Sequence, residues 1–133
     1  MPPDSNKKSI LLVNPWIHDF SAYDFWMKPL GLLYIGSILR AAGCDVRLLD
    51  CLDSFSAPPQ FTAKLKFPRQ RDFGLGHFYK EDIPKPEVLR HIPRRYRRYG
   101  IPPRALREMM AAFPRPDLIL ITSSMTYWYT GLT

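Results

Sequence analysis

Three short groups of residues carry functional groups suited to a site: Asn14-Pro15, Asp50-Cys51-Leu52-Asp53 and Thr122-Ser123-Ser124-Met125. A carboxamide and a run of hydroxyls donate and accept hydrogen bonds without bringing charge, which suits a polar, neutral ligand. The same residue types also cap turns and helix starts. Asp50 and Asp53 form a carboxylate pair that fits ribose hydroxyls or a divalent cation, and equally fits a solvated turn. Ser123 and His18 are raw material for nucleophilic catalysis, but no G-x-S-x-G elbow surrounds the serine. His18, His77 and His91 are scattered and give no metal-ligand spacing, so no catalytic residue and no metal ligand is assigned. Arg94-Arg95-Tyr96-Arg97-Arg98-Tyr99 interleaves cations with rings, a pattern that can hold phosphates and stack bases. It matches no RNA-binding motif, and such runs also pack on acidic neighbours.

The elements that position these groups are legible. SILLVN (9–14) is an almost continuous apolar run stopped by Pro15, the mark of a strand buried on both faces. An aromatic loop, 16–28, follows. Pro29-Leu30-Gly31 then opens a helix through Ala42, with Leu32, Ile35, Leu39 and Ala42 on one face and Gly43 as its stop. DVRLLD (45–50) is a second strand, which completes a βαβ unit with a parallel pair. DLILIT (117–122) is a third. The helix before it runs from Arg104 to Phe113, with Pro103 in its first turn and Leu106, Met109, Met110 and Phe113 as its stripe. The 66 residues between the second and third strands exceed a normal connection. Residues 55–102 are therefore read as an insertion, with a short helical stretch at Glu87 to Ile92.

Fold class follows as α/β, a parallel Rossmann-like sheet. Ligands of such sheets bind outside the carboxyl ends of the strands, where the strand order reverses. The three groups above all lie on that edge, and the first helix begins there, offering free N–H groups to a phosphate or amide. No G-x-G-x-x-G joins the first strand to the helix and no G-x-x-x-x-G-K-[ST] occurs, so dinucleotide binding is weakly supported. Three strands fall short of the five or more of a complete doubly wound sheet, and the chain is expected to be the front half of a longer domain, incomplete at its C-terminus.

Charge sharpens the division. The net charge is +7, yet Lys64 to Arg107 holds 13 Lys/Arg against 4 Asp/Glu, while the rest holds 6 against 8. A basic, proline-rich segment interrupts a nearly neutral apolar body, which excludes a uniformly basic, histone-like protein. Two cysteines form no disulfide framework, the first eight residues hold no signal peptide, and no apolar run is long enough to span a membrane. A cytoplasmic location without membrane association is the expectation.

Taken together, SILLVNP, AYDFWMKPLGLLYIGSILRAAGCDVRLLDCLD and PDLILITSSMTYW resemble the N-terminal cobalamin-binding domain of cobalamin-dependent radical SAM proteins. The resemblance covers residues 9–54 and 114–131. GHFYKEDIPKPEVLRHIPRRYRRYGIPP is similar to the insertion of an uncharacterised subgroup of them. It implies a flavodoxin-like domain holding cobalamin at the strand carboxyl ends. Asn14, Pro15, Leu30 and Gly31 would contact it from one side, and Thr122, Ser123, Ser124 and Met125 from the other. It also implies a downstream radical SAM domain as partner, with a 4Fe-4S cluster on CxxxCxxC, S-adenosylmethionine and a small-molecule substrate. This chain has no CxxxCxxC, and Cys44 and Cys51 are separated by six residues. The Asp-x-His-x-x-Gly motif that gives cobalt a histidine elsewhere is also missing. Catalysis is thus expected of a longer parent, with the insertion facing the adjoining domain or an anionic substrate. Two alternatives remain: the nucleotide-sugar-binding half of a glycosyltransferase, and nucleic-acid binding through Arg94 to Arg98, the less favoured.

Overall fold

Apolar runs become the centre of the fold because a strand covered on both faces leaves no side for polar residues. In the computed structural model, which describes residues 7–25, 28–54, 57, 59–62, 68 and 71–123, the elements in chain order are β1 (Ser9–Asn14), β2 (Ile17–Asp19), α1 (Leu30–Ala41), β3 (Asp45–Asp50), the single turn α2 (Pro59–Thr62), β4 (Lys80–Asp82), β5 (Arg97–Tyr99), α3 (Pro103–Ala111) and β6 (Leu118–Ile121). Short 3-10 turns occupy Asp72–Gly74 and Glu87–Leu89, the latter within the stretch expected to be helical.

β1 is flanked by β3 and β6, all parallel, with Ser9 opposite Asp45, Asn14 opposite Asp50 and Ile10 opposite Leu118. The chain leaves β1 through α1 towards one side and returns through α3 to the other. The two helices cover opposite faces. Ile10 and Leu12 pack with Leu32 and Val46 under α1, whereas Leu11 and Leu49 pack with Ile101 and Ala105 under α3. The result is a mixed α/β arrangement with a three-stranded parallel sheet, that of a Rossmann-like fragment. Leu12, Leu49 and Ile101 are essentially inaccessible, and burying each contributes about 1.5–3 kcal/mol.

Helix faces differ from the simple spacing. α1 turns Leu32 and Gly36 fully inward and Leu39 partly, while Ile35 and Ala42 are exposed. Gly36 is the reason. A Cβ there would stand 2.6 Å from Leu12 Cδ1, so the bare backbone is the point of closest approach and its neighbours at i−4 and i+3 line the contact. In α3, Ala105 is the fully buried residue, Leu106, Met109 and Phe113 pack against the same cluster, and Met110 points outward.

The insertion is more than an interruption. β4 and β5 come from it, and β5 pairs antiparallel with both β4 and β2. Ile17 lies opposite Tyr99 and Asp19 opposite Arg97. The segment 16–28, read as a loop, therefore contains an outer strand of a second sheet. Ile17, Phe78 and Tyr99 form its buried face, with Leu52 packed against them. The two sheets meet at Gly100 (φ 121°), where an added Cβ would run into the Cys51 carbonyl oxygen. On either side of that close approach, Gly100 N–H donates to Tyr79 O (2.7 Å) and Ile101 N–H to Cys51 O (2.8 Å).

Candidate functional site

Strand order reverses between β1 and β6, and the chain that follows them opens a cleft of about 250 Å³. Its polar side is made by Asn14 after β1 and by Thr122 and Ser123 after β6. Apolar walls come from Trp16, Ile17 and Tyr23, from Leu52 after β3, and from Phe78 in the insertion. Pro15, Lys28 and Pro29 complete it at the entrance to α1.

Several of these groups are held before any ligand arrives. Asn14 Nδ2 donates to Asp50 Oδ1 at 2.8 Å, and Leu52 N–H donates to the same oxygen at 3.0 Å. Asp50 thus acts as a turn acid, while the Asn14 carboxamide is fixed across the ends of β1 and β3. Trp16 Nε1 donates to Ile101 O at 2.6 Å, and the Arg98 guanidinium lies 5.8 Å from the Trp16 ring centre. This tryptophan of the wall is therefore anchored by Arg98 in the middle of β5 and by Ile101 just after it. Tyr23 stands 4.9 Å from the His77 ring, centre to centre.

Of the eight residues expected at the site, Asn14, Pro15, Thr122 and Ser123 come together in this cleft. Leu30 and Gly31 do not line it and are exposed; the chain reaches the cleft at Lys28 and Pro29, just before the helix turns away. Ser124 and Met125 lie outside the described residues. Trp16 and Tyr23 belong to the aromatic segment 16–28. Phe78 was missed, because nothing in the insertion's sequence ties it to a strand 60 residues earlier. Lys28 was missed too, although its place before Pro29-Leu30-Gly31 was the available signal.

The other reactive groups stand apart. Cys51 is buried, and burial together with the Asp50 carboxylate pushes its thiol up to about 12, so it is protonated and inert. His18 is half-buried with Nε2 inaccessible and without a hydrogen-bond partner; burial first, then Arg98, holds its pKa below the ordinary value. It does not line the cleft with Ser123. Among the described residues, no group of three or more His, Cys, Asp or Glu is placed to hold a metal ion.

The Arg94–Arg98 run resolves into a strand pattern. Tyr96 and Tyr99 are buried, and Tyr96 Oη donates to His18 O at 3.2 Å, so neither ring is open for base stacking. Arg97 Nε meets Asp82 at 3.0 Å, Arg95 meets the same carboxylate at 3.5 Å, and Arg98 pairs with Glu81. Arg94 lies over the Phe20 ring. The basic segment answers its own acids across β4 and β5.

Comparison with models of known protein families, with curated proteins and with solved structures finds no match. No helix among the described residues is long and apolar enough to cross a membrane.

Proposed function

We propose that this chain is a flavodoxin-like cobalamin-binding module of a radical SAM enzyme, with the corrin seated at the carboxyl edge of the parallel sheet. The observation that supports this reading is the cleft at the reversal of strand order, with aromatic walls and a small set of amide and hydroxyl groups. A corrin is a planar apolar ring fringed by amides. Asn14, Thr122 and Ser123 offer partners for such a fringe, and Trp16, Tyr23 and Phe78 cover an apolar edge and keep water from it. At about 250 Å³ the cleft receives one edge of the ring, leaving the other face for the downstream radical SAM domain.

When bound, the corrin supplies a cobalt centre able to carry a methyl group or a single electron. Among the described lining residues there is no imidazole or thiol, so they suit a cobalt that takes no ligand from this module. The two cysteines do not suit a 4Fe-4S cluster: it needs at least three thiolates, and Cys51 is a buried thiol. Cluster and S-adenosylmethionine are therefore assigned to the downstream domain, which would act on a small-molecule substrate above the cleft.

The test is direct. The chain is mixed with hydroxocobalamin, desalted, and examined for the corrin absorption bands. Retention at one equivalent, abolished by filling the cleft with Thr122→Trp, supports the assignment. A folded protein that passes the column colourless overturns it, and saturable quenching by a uridine diphosphate sugar in its place would transfer the cleft to the glycosyltransferase reading.

A further inference from the structure

Ion pairing and position together set one cation of this protein apart. Three arginines of the small sheet, Arg95, Arg97 and Arg98, are matched to Asp82 and Glu81. Lys28 is different: it lines the cleft, is exposed, and forms no ion pair among the described residues. Among the described residues, no carboxylate lines the cleft beside it. Asp50, at the end of β3, already accepts hydrogen bonds from Asn14 and Leu52.

An unmatched cation and two hydroxyls around one cavity have a common complement. We infer that the molecule bound in this cleft carries an anionic oxo group, a phosphate ester or carboxylate, that docks on Lys28. The inference rests on the cleft being the ligand site, and it names the charge of what binds there. Lys28 donates from the rim, Thr122 and Ser123 from the floor, and the apolar walls take the remainder of the ligand. In a corrin the matching group is the phosphodiester of the nucleotide loop; in another ligand it is a free phosphate.

The experiment separates these sources and separates this inference from the corrin assignment. Hydroxocobalamin and hydroxocobinamide, the same ring without phosphodiester and base, are titrated into the full chain, into Lys28→Glu and into Lys28→Arg. In parallel, inorganic pyrophosphate is titrated while the backbone amides of Asn14, Thr122 and Ser123 are followed by NMR. Lys28→Glu should weaken cobalamin about tenfold or more, as expected for loss of a charge-assisted contact, and leave cobinamide unchanged. Lys28→Arg should stay close to the parent, and the difference should shrink at high salt. Pyrophosphate shifts abolished by Lys28→Glu, with no corrin retained, uphold the anion subsite and assign it to a free phosphorylated ligand. Cobalamin bound equally by parent and Lys28→Glu overturns the inference while leaving the corrin assignment standing. Neither probe binding overturns both.

Discussion

In the parallel sheet, β1 and β6 read SILLVN and LILI; β1 is held by burial, with Ile10, Leu11 and Leu12 all buried between two helices, whereas β6 pairs with it as an edge strand whose Leu118, Ile119 and Ile121 are exposed. In the antiparallel sheet the strands are three residues long and read IHD, KED and RRY, with Ile17 and Tyr99 buried and charged side chains on both faces. The first sheet is a product of local sequence. The second is a product of pairing across the chain, since Asp19 meets Arg97 and Asp82 meets Arg97. The cleft lies where they meet, taking its polar groups from the first and the Phe78 wall from the second. A rigid apolar sheet thus presents a binding edge, and a small polar sheet shapes it.

The comparison can be broken at its junction first. Gly100→Ala combines a left-handed backbone with a collision against the Cys51 carbonyl and should cost about 3–5 kcal/mol, from strain and overpacking together. Urea denaturation checks it, and an unchanged midpoint would mean that the sheets are not locked there. Leu49→Ala, in the fully buried core below α3, should cost about 2–5 kcal/mol and unfold both sheets together. If the antiparallel sheet survived by amide exchange, the two would be independent units.

Acid should distinguish them more gently. The pKa of His18 is held low by burial and then by Arg98, so the unfolded chain binds its proton more readily than the folded one. The penalty is absent above the unfolded pKa, about 6.5, and grows as pH falls through it towards the folded value. The Asp117 pKa is lowered, chiefly by the Ser9 N–H at 2.8 Å, so its contribution to β6 is present above the ordinary aspartate range and is lost only as pH falls below it. Loss of Tm between pH 6.5 and 5 should therefore vanish in His18→Gln, while Asp117→Asn should flatten only the steeper decline near pH 4. A pH slope unchanged by His18→Gln would contradict the first statement. The smallest effect belongs to Asp82→Asn, which frees Arg95 and Arg97 at the surface and should cost less than about 1 kcal/mol, diminishing with salt. A larger loss would promote the charge ladder from trimming to support.

How much was readable varies with the range of the contacts. SILLVN and DVRLLD coincide with β1 and β3 residue for residue, and α1 and α3 begin or end within two residues of the positions inferred from Pro29, Gly43 and Pro103. The inward face of α1 was not readable. Spacing favours Ile35 over Gly36, and only the approach of Leu12 makes a glycine the buried residue. The second sheet was not readable either, because three residues of alternation carry no period and its partners are some 80 positions apart. Asn14, Pro15, Thr122 and Ser123 could be grouped at one edge because strand ends are local features, whereas Phe78 was brought to the cleft by tertiary pairing alone.

The sequence by itself determined the parallel sheet, its two crossover helices and the polar edge they expose, because strands of such a sheet are written as short continuous apolar runs, buried on both faces in β1. Tertiary structure alone decided that Arg95, Arg97 and Arg98 of the basic insertion meet Asp82 and Glu81 in a small sheet, that Tyr96 and Tyr99 are core, and that Lys28 is an unmatched cation at the cleft. Charges have no partner in a one-dimensional reading; which ones are spent and which remain free is settled only when the strands that carry them meet.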